Sequence, residues 1–355
     1  MVLVLIAGSG GAHSLTDELI LSGTKATESN PRTGSLADRL TLEVSPSDAW
    51  TTHTVVGFTR NAPSQPAPGA AFATSAENVL FLALGADWLP NDRLDVGIEV
   101  SGSPRSQSVT NTVVEYAGKN GTTTHADAPL KLVNSTWGSS LSGSYSTPRD
   151  SASETLLEGS VAYTNYATTQ GIAGVKSSEG ADISSATLLD YCASHPGTRY
   201  CTKALPGILR PHSAQLGQIR LELGLTETIL GDTDVGLSGA YYAYSQDPTQ
   251  VGYFSVLGTG RTRTTVGNGL SIAPLLYSIH PSGVHRWGKF SLSAYYEYGQ
   301  YVSGQGYSNG LGAKCQYRFS KRVKLYLALD GALNVDASRN LVPSESATFG
   351  GKISF

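Results

Sequence analysis

Residues 323–330 read VKLYLALD. Val323, Leu325, Leu327 and Leu329 fall on one parity, and Lys324, Tyr326 and Asp330 on the other. Successive side chains of an extended chain point to opposite faces, so the stretch predicts a strand with one apolar and one polar face. Apolar or small residues continue at every second place as far as Leu333. The same split recurs in residues 94–100 (LDVGIEV), 219–225 (IRLELGL) and 313–319 (AKCQYRF).

Composition agrees with a chain built mostly of strands. Charged residues make up 15% of the 355, against about 25% in typical soluble domains. Glycine (40) and tyrosine (18) are abundant, and methionine occurs only at position 1. No apolar run approaches the roughly 18 residues of a membrane-spanning helix. The net charge is −3 and no block of Lys or Arg occurs, so a nucleic-acid-binding surface has no electrostatic footprint.

Any half-exposed antiparallel sheet alternates, so the joints between strands carry the decision. Short joints are predicted at 46–50 (PSDAW), 89–92 (LPND), 148–154, 230–234 (LGDTD), 280–286 (HPSGVHR) and 320–322 (SKR). Long polar joints alternate with them, at about 60–77, 105–134, 167–213, 246–266, 300–307 and 334–345. The intervening strands are 38–45, 51–59, 78–88, 93–104, 135–146, 155–166, 214–228, 233–245, 267–279, 287–299, 308–319, 323–333 and 346–355. A β-sandwich or propeller would not need short joints to alternate with long ones, and no fixed internal period of a propeller is present.

A sheet trimmed at one end and elaborated at the other resembles a Gram-negative outer-membrane β-barrel, with short periplasmic turns and long extracellular loops. The resemblance covers most of the chain and is architectural. It implies an all-β, transmembrane, antiparallel up-and-down barrel with an even number of strands. Residues 17–24 (DELILSGT) supply the missing first strand, followed by an external loop ESNPRTGS, which brings the count to about 14, with 12 as the fallback. Trp50, Trp88 and Trp287 lie at or beside short turns, where amphipathic rings suit a headgroup region. Tyr163, Tyr241, Tyr296 and Tyr298 make the opposite girdle. Residues 1–14, with an apolar core at Val2 to Ala7 followed by small residues, read as a signal-peptide remnant, and 15–355 as one barrel. With little sequence ahead of the first strand, no large N-terminal plug or hatch is expected. That argues against an energy-coupled siderophore transporter and a hatch-bearing fatty-acid transporter.

With the apolar face outward, the inward ionisable residues are Arg39, Glu43, Asp95, Glu99, Glu158, Arg220, Glu222, Lys289, Glu297, Lys314, Arg318, Lys324, Asp330 and Lys352. Charges sealed in a dry lumen cost several kcal/mol unless paired, so this face predicts a water-filled pore or a wall stiffened by cross-strand pairs. Arg318, Lys324 and Lys352 on neighbouring strands suggest a basic patch favouring anions. In the longest loop, Cys192 and Cys201 flank a Pro-Gly turn and predict a disulfide in an exported chain, with a Cys192–His195–Cys201 metal site as the sharper alternative. Residues 182–190 suggest one or two helical turns. Cys315 falls on the lipid face.

His13, His53, His125, His195, His212, His280 and His285 are scattered, and the pairings His212-Ser213 and His125-Ala126-Asp127 do not fit a hydrolase. His280 and His285 are expected to flank a short turn. The resulting expectation is a porin-like channel for passive diffusion of small hydrophilic solutes, without cofactor or enzymatic activity. The competing expectation is a barrel scaffold whose long loops bind a protein or polysaccharide. The last stretch, ATFGGKISF (residues 347–355), alternates to a terminal Phe355, which resembles the signal read by the barrel-assembly machinery. The partners implied are that machinery, the outer-membrane bilayer, and lipopolysaccharide or another surface partner at the loops.

Overall fold

A computed structural model describes residues 12–24, 33–61, 77–117, 123–148, 153–172, 174–176, 182–197, 201, 212–248, 262–265, 275–336, 339 and 341–355. Its strands are β1 (Ala12–Thr24), β2 (Thr33–Ser47), β3 (Trp50–Asn61), β4 (Glu77–Asn91), β5 (Leu94–Ala117), β6 (Thr123–Pro148), β7 (Glu154–Ile172), β8 (Gly174–Lys176), β9 (Asp182–Ser184), β10 (His212–Ile229), β11 (Thr233–Tyr244), β12 (Thr262–Thr265), β13 (Leu275–Trp287), β14 (Phe290–Tyr301), β15 (Gly306–Arg318), β16 (Val323–Asp336) and β17 (Leu341–Ser354). One helix, α1 (Ser185–Ser194), follows β9. All strands except β8, β9 and β12 form one antiparallel ring of fourteen.

The ring closes where β1 pairs with β17, from Thr16↔Ser354 to Thr24↔Ser346, and Phe355 adds a further bond from its N–H to the Leu15 carbonyl (2.8 Å). Closure removes the free edges that would leave backbone polar groups unpaired in hydrocarbon. Tight turns join the strands at one end. Asn91 Oδ1 accepts the N–H groups of Arg93 and Leu94 (2.9 and 3.0 Å), and Ser320 Oγ accepts those of Arg322 and Val323 (3.2 and 3.1 Å). At 230–231 the turn takes positive φ at Leu230 (55°) and Gly231 (74°).

The structure corrects two predicted joints. HPSGVHR is not a turn. β13 runs through it, and the chain reverses at Gly288 (φ 58°) and Lys289. Pro281 has no N–H to give, so the β13–β14 ladder skips His280 and Pro281 without losing register, from Ile279↔Tyr298 to Ser282↔Tyr295. Much of the predicted loop 105–134 is strand: β5 and β6 continue as a tall hairpin, offset by a bulge between Ser103 and Ser106, and β12 adds to it along Val113–Tyr116. The first strand starts at Ala12, ahead of the expected Asp17, and residues 1–11 lie outside the described residues.

The two faces of the wall differ sharply. Leu84, Leu223 and Leu311 are 63–75% exposed, with Ile98, Leu141, Val161, Leu221, Leu237 and Leu327 on the same outer face. In water such a belt would forgo about 25 cal/mol for each Å² of apolar surface left unburied; hydrocarbon suits it. Aromatic rings border the belt. Trp50, Trp88 (stacked at 6.2 Å), Trp287, Phe290 and Tyr317 lie on the turn side, and Trp137, Tyr163, Tyr241, Tyr277 and Tyr296 toward the other. The opposite parity is concave, because its side chains reach past an intervening strand to the next but one.

Candidate functional site: the lumen wall

Three such reaches share one design. Tyr295 on β14 lies over Gly312 on β15 and donates its O–H to Asp330 on β16 (2.6 Å). Tyr326 on β16 lies over Gly350 on β17 and donates to Glu18 on β1 (3.1 Å). His53 on β3 lies over Gly85 on β4, with Nε2 3.2 Å from Glu99 on β5 and Nδ1 3.4 Å from Asp87. A Cβ on any of these glycines would sit 2.1–2.2 Å from the ring, so only glycine permits the ring to lie flat on the wall. Each unit ties three strands together by a ring and a carboxylate.

The remaining wall residues take definite places. Glu43 accepts the Ser14 hydroxyl (2.8 Å) and is directly opposite His53. Arg39 is directly opposite Glu18 and Gly57. Arg220 and Glu222 form an ion pair along β10. Lys314 sits 4.0 Å above the Tyr326 ring, a cation–π contact. Glu297 is opposite Gly310, and Lys289 occupies the β13–β14 turn. Arg318, Lys324 and Lys352 are directly opposite one another across β15, β16 and β17. Asp95 and Glu158 line, with Ser142, Ser144, Ser160, Glu222 and Ser238, a recess of about 370 Å³. Asp95 Oδ1 is buried there without a hydrogen-bond partner among the described residues.

The predicted inward set lacks His53, Asp87 and Glu18, although their parity is legible in the sequence. His53 alternates with the outward Trp50, Val56 and Phe58, and Asp87 with Leu84 and Trp88. The signal was an odd-parity histidine facing a glycine, and only the register makes the pairing visible.

Nearer the loop end of β7–β13 the concave wall becomes more apolar. Leu216 is fully buried, directly opposite Tyr166, and a chain of hydrogen bonds runs from Tyr166 to Gln218 (3.2 Å), from Gln218 to Tyr244 (3.2 Å), and from Tyr244 to the Leu275 carbonyl (2.8 Å).

In the long loop, Cys192 at the end of α1 is disulfide-bonded to Cys201. Both sulfurs are therefore spent, and His195 instead stacks on Tyr191 (4.4 Å) with Nδ1 3.0 Å from the Tyr191 carbonyl. His280 and His285 belong to one strand on opposite parities, so they do not converge as the predicted turn would allow. His280 packs against Tyr295, while His285 contacts Thr233 and Trp287. No group of His, Cys, Asp and Glu suited to a metal ion occurs among the described residues. Ser213 bonds Thr169 (3.0 Å), and the side chains of His13, His125, Asp127 and His212 lie outside the described ones. Cys315 is a free thiol on the outward parity.

No protein-family model matches the chain, and no curated protein matches its sequence. Solved structures do match its shape. The CymD monoaromatic hydrocarbon channel superposes with a TM-score of 0.56 at 10% identity, covering 97% of this chain and 88% of that one. A FadL homologue of Pseudomonas aeruginosa superposes at 0.56 and 12% identity, covering 97% and 89%. The toluene transporter TbuX of Ralstonia pickettii superposes at 0.56 and 11%, covering 98% and 90%. At these identities the likeness establishes the fold, a closed fourteen-strand antiparallel barrel matching the FadL type.

Proposed function

We propose that the protein is an outer-membrane channel through which small hydrophilic solutes diffuse along a polar lumen. The observation that carries this reading is the division of one closed wall into an apolar exterior and a hydroxyl-rich, two-signed interior. Water in the lumen accounts for that interior: Glu158 lines an open recess with no cation beside it among the described residues, and a carboxylate sealed in a dry core would cost several kcal/mol. The names of the matching structures, a hydrocarbon channel and a toluene transporter, support a channel over a scaffold or an enzyme. They also favour a second reading. The stretch around Leu216, Tyr166 and Tyr244 would suit a small aromatic solute, and a FadL-type barrel, set aside on sequence, returns as a candidate.

This reading takes the outer-membrane bilayer as solvent and the barrel-assembly machinery as the route into it. It leaves the loops free for lipopolysaccharide or another surface partner. Planar-bilayer recording tests it: sustained open-channel current is expected, and a closed barrel that co-purifies with a loop-bound partner refutes it. Vesicle uptake of a sugar against toluene separates the two solute classes.

A further inference from the structure

The charges on the turn-side half of the lumen are sorted by wall. On β15, β16 and β17 stand Lys314, Arg318, Lys324 and Lys352, with Lys289 at the adjoining turn. On β4, β5, β7 and β10 stand Asp87, Asp95, Glu99, Glu158 and Glu222. The centre of the acidic arc is β6, and β6 is seven strands from β16 in either direction around the ring of fourteen. The two arcs therefore face each other across the full diameter. Strands about 4.8 Å apart and tilted about 40° put the facing backbones roughly 28 Å apart.

Pairing does not cancel this separation. Arg318, Lys324 and Lys352 are directly opposite one another, a like-charge row that costs folding stability, and among the described residues none of them is in an ion pair. On the acidic side Asp95, Ser144 and Glu158 form a matching cross-strand row, with hydroxyls but no cation between the carboxylates. The exceptions are local: Glu18 on β1 is directly opposite Lys352 and accepts the Tyr326 hydroxyl, Arg286 pairs with Asp234 between the arcs, Arg220 neutralises Glu222, His53 lies between Asp87 and Glu99, and Asp330 is occupied by Tyr295. With a Debye length near 10 Å at 0.1 M salt, each row governs the water along its own wall.

We propose that the lumen is polarised across its width, offering cationic groups a track along β4–β10 and anionic groups a track along β15–β17. It therefore passes solutes carrying an ammonium and an acid group at opposite ends faster than solutes of one charge. The inference rests on the channel reading above and assigns that channel a solute class.

Two single cysteines placed at similar heights read the polarisation: Ser144→Cys on the acidic side and Ala328→Cys on the basic side, each with Cys315→Ser, in the full chain reconstituted in vesicles. Each is modified with a trimethylammonium-bearing and a sulfonate-bearing methanethiosulfonate. The ratio of cationic to anionic reagent rates is expected to be at least about tenfold higher at position 144 than at 328 in low salt, and to fall toward unity in 1 M salt. Equal ratios at two labelled positions overturn the polarisation and leave the channel standing. Failure of both positions to label overturns the channel reading and this inference with it. In the solute arm, efflux of trimethylammonio-propanesulfonate is compared with that of a tetra-alkylammonium and an alkanesulfonate of matched size. The zwitterion is expected to leave faster, and Lys324→Glu with Lys352→Glu to abolish its advantage; no advantage in the parent protein overturns the solute assignment.

Discussion

Gly312→Ala probes the ring-over-glycine design most directly. The new methyl would lie 2.2 Å from Tyr295 Cε1, 2.4 Å from Cζ and 2.5 Å from Asp330 Oδ1. Ordinary contact begins near 3.4 Å, so the ring must move by more than an ångström, and the 2.6 Å bond from Tyr295 to Asp330 cannot survive. A hydrogen bond to a charged group is worth about 1.5–3 kcal/mol, and alanine gives back roughly 0.5–1 kcal/mol of the backbone entropy that glycine forfeits. With the ring's lost packing included, the net destabilisation comes to about 2 kcal/mol. In a Tyr295→Ala background the methyl meets no ring, and the same substitution should be neutral or slightly stabilising. The assay is a double-mutant cycle by denaturant unfolding in lipid vesicles, followed through tryptophan fluorescence. A coupling energy of about 2 kcal/mol is expected, and additivity within about 0.5 kcal/mol refutes the reasoning. Gly350→Ala with Tyr326→Ala should give the same sign, since there the methyl would lie 2.1 Å from the ring.

Other expectations follow from the two faces and from the ends of the wall. Leu223→Arg, in the middle of the outer belt, should cost about 2–4 kcal/mol in vesicles, whereas a cost below about 0.5 kcal/mol would mean that the belt does not face hydrocarbon. Deleting Phe355, which caps the closing strand with a bond to Leu15, should reduce assembled, heat-modifiable protein in cells, and a normal surface-exposed yield would count against a role in assembly. Replacing Cys192 and Cys201 by Ser releases a loop closure worth about 2–3 kcal/mol to that loop. Limited proteolysis should then cut between β9 and β10 while the barrel keeps its gel mobility; loss of the barrel itself would show that the loop supports the wall.

Much of this wall was legible from local rules, and the failures have identifiable causes. Alternation in residues 323–330 fixes which side chains share a face, because parity is a property of the extended backbone itself. Five of the six short joints and the strand count were readable for the same reason: turn residues such as Asn91 and Gly231 act within their own few neighbours. HPSGVHR misled because Pro and Gly are turn formers in isolation, while β11 on the other side of β13 keeps the segment extended. The Ser- and Thr-rich stretch 105–134 read as loop because its strands are held by each other, and that pairing is visible only in the register Ser106↔Asn134 to Ala117↔Thr123.

The sequence by itself determined faces, approximate strands and the cysteine pair, all properties set by the chain's own alternation or its nearest neighbours. Tertiary structure alone decided what those faces meet. His53, Gly85 and Glu99 stand on three separate strands, and their contact exists only once register aligns them. The opposition of β6 to β16 arises from ring closure, a global constraint that no window of sequence contains. Charges can be counted along a chain, but which of them face each other across water is decided when the last strand pairs with the first.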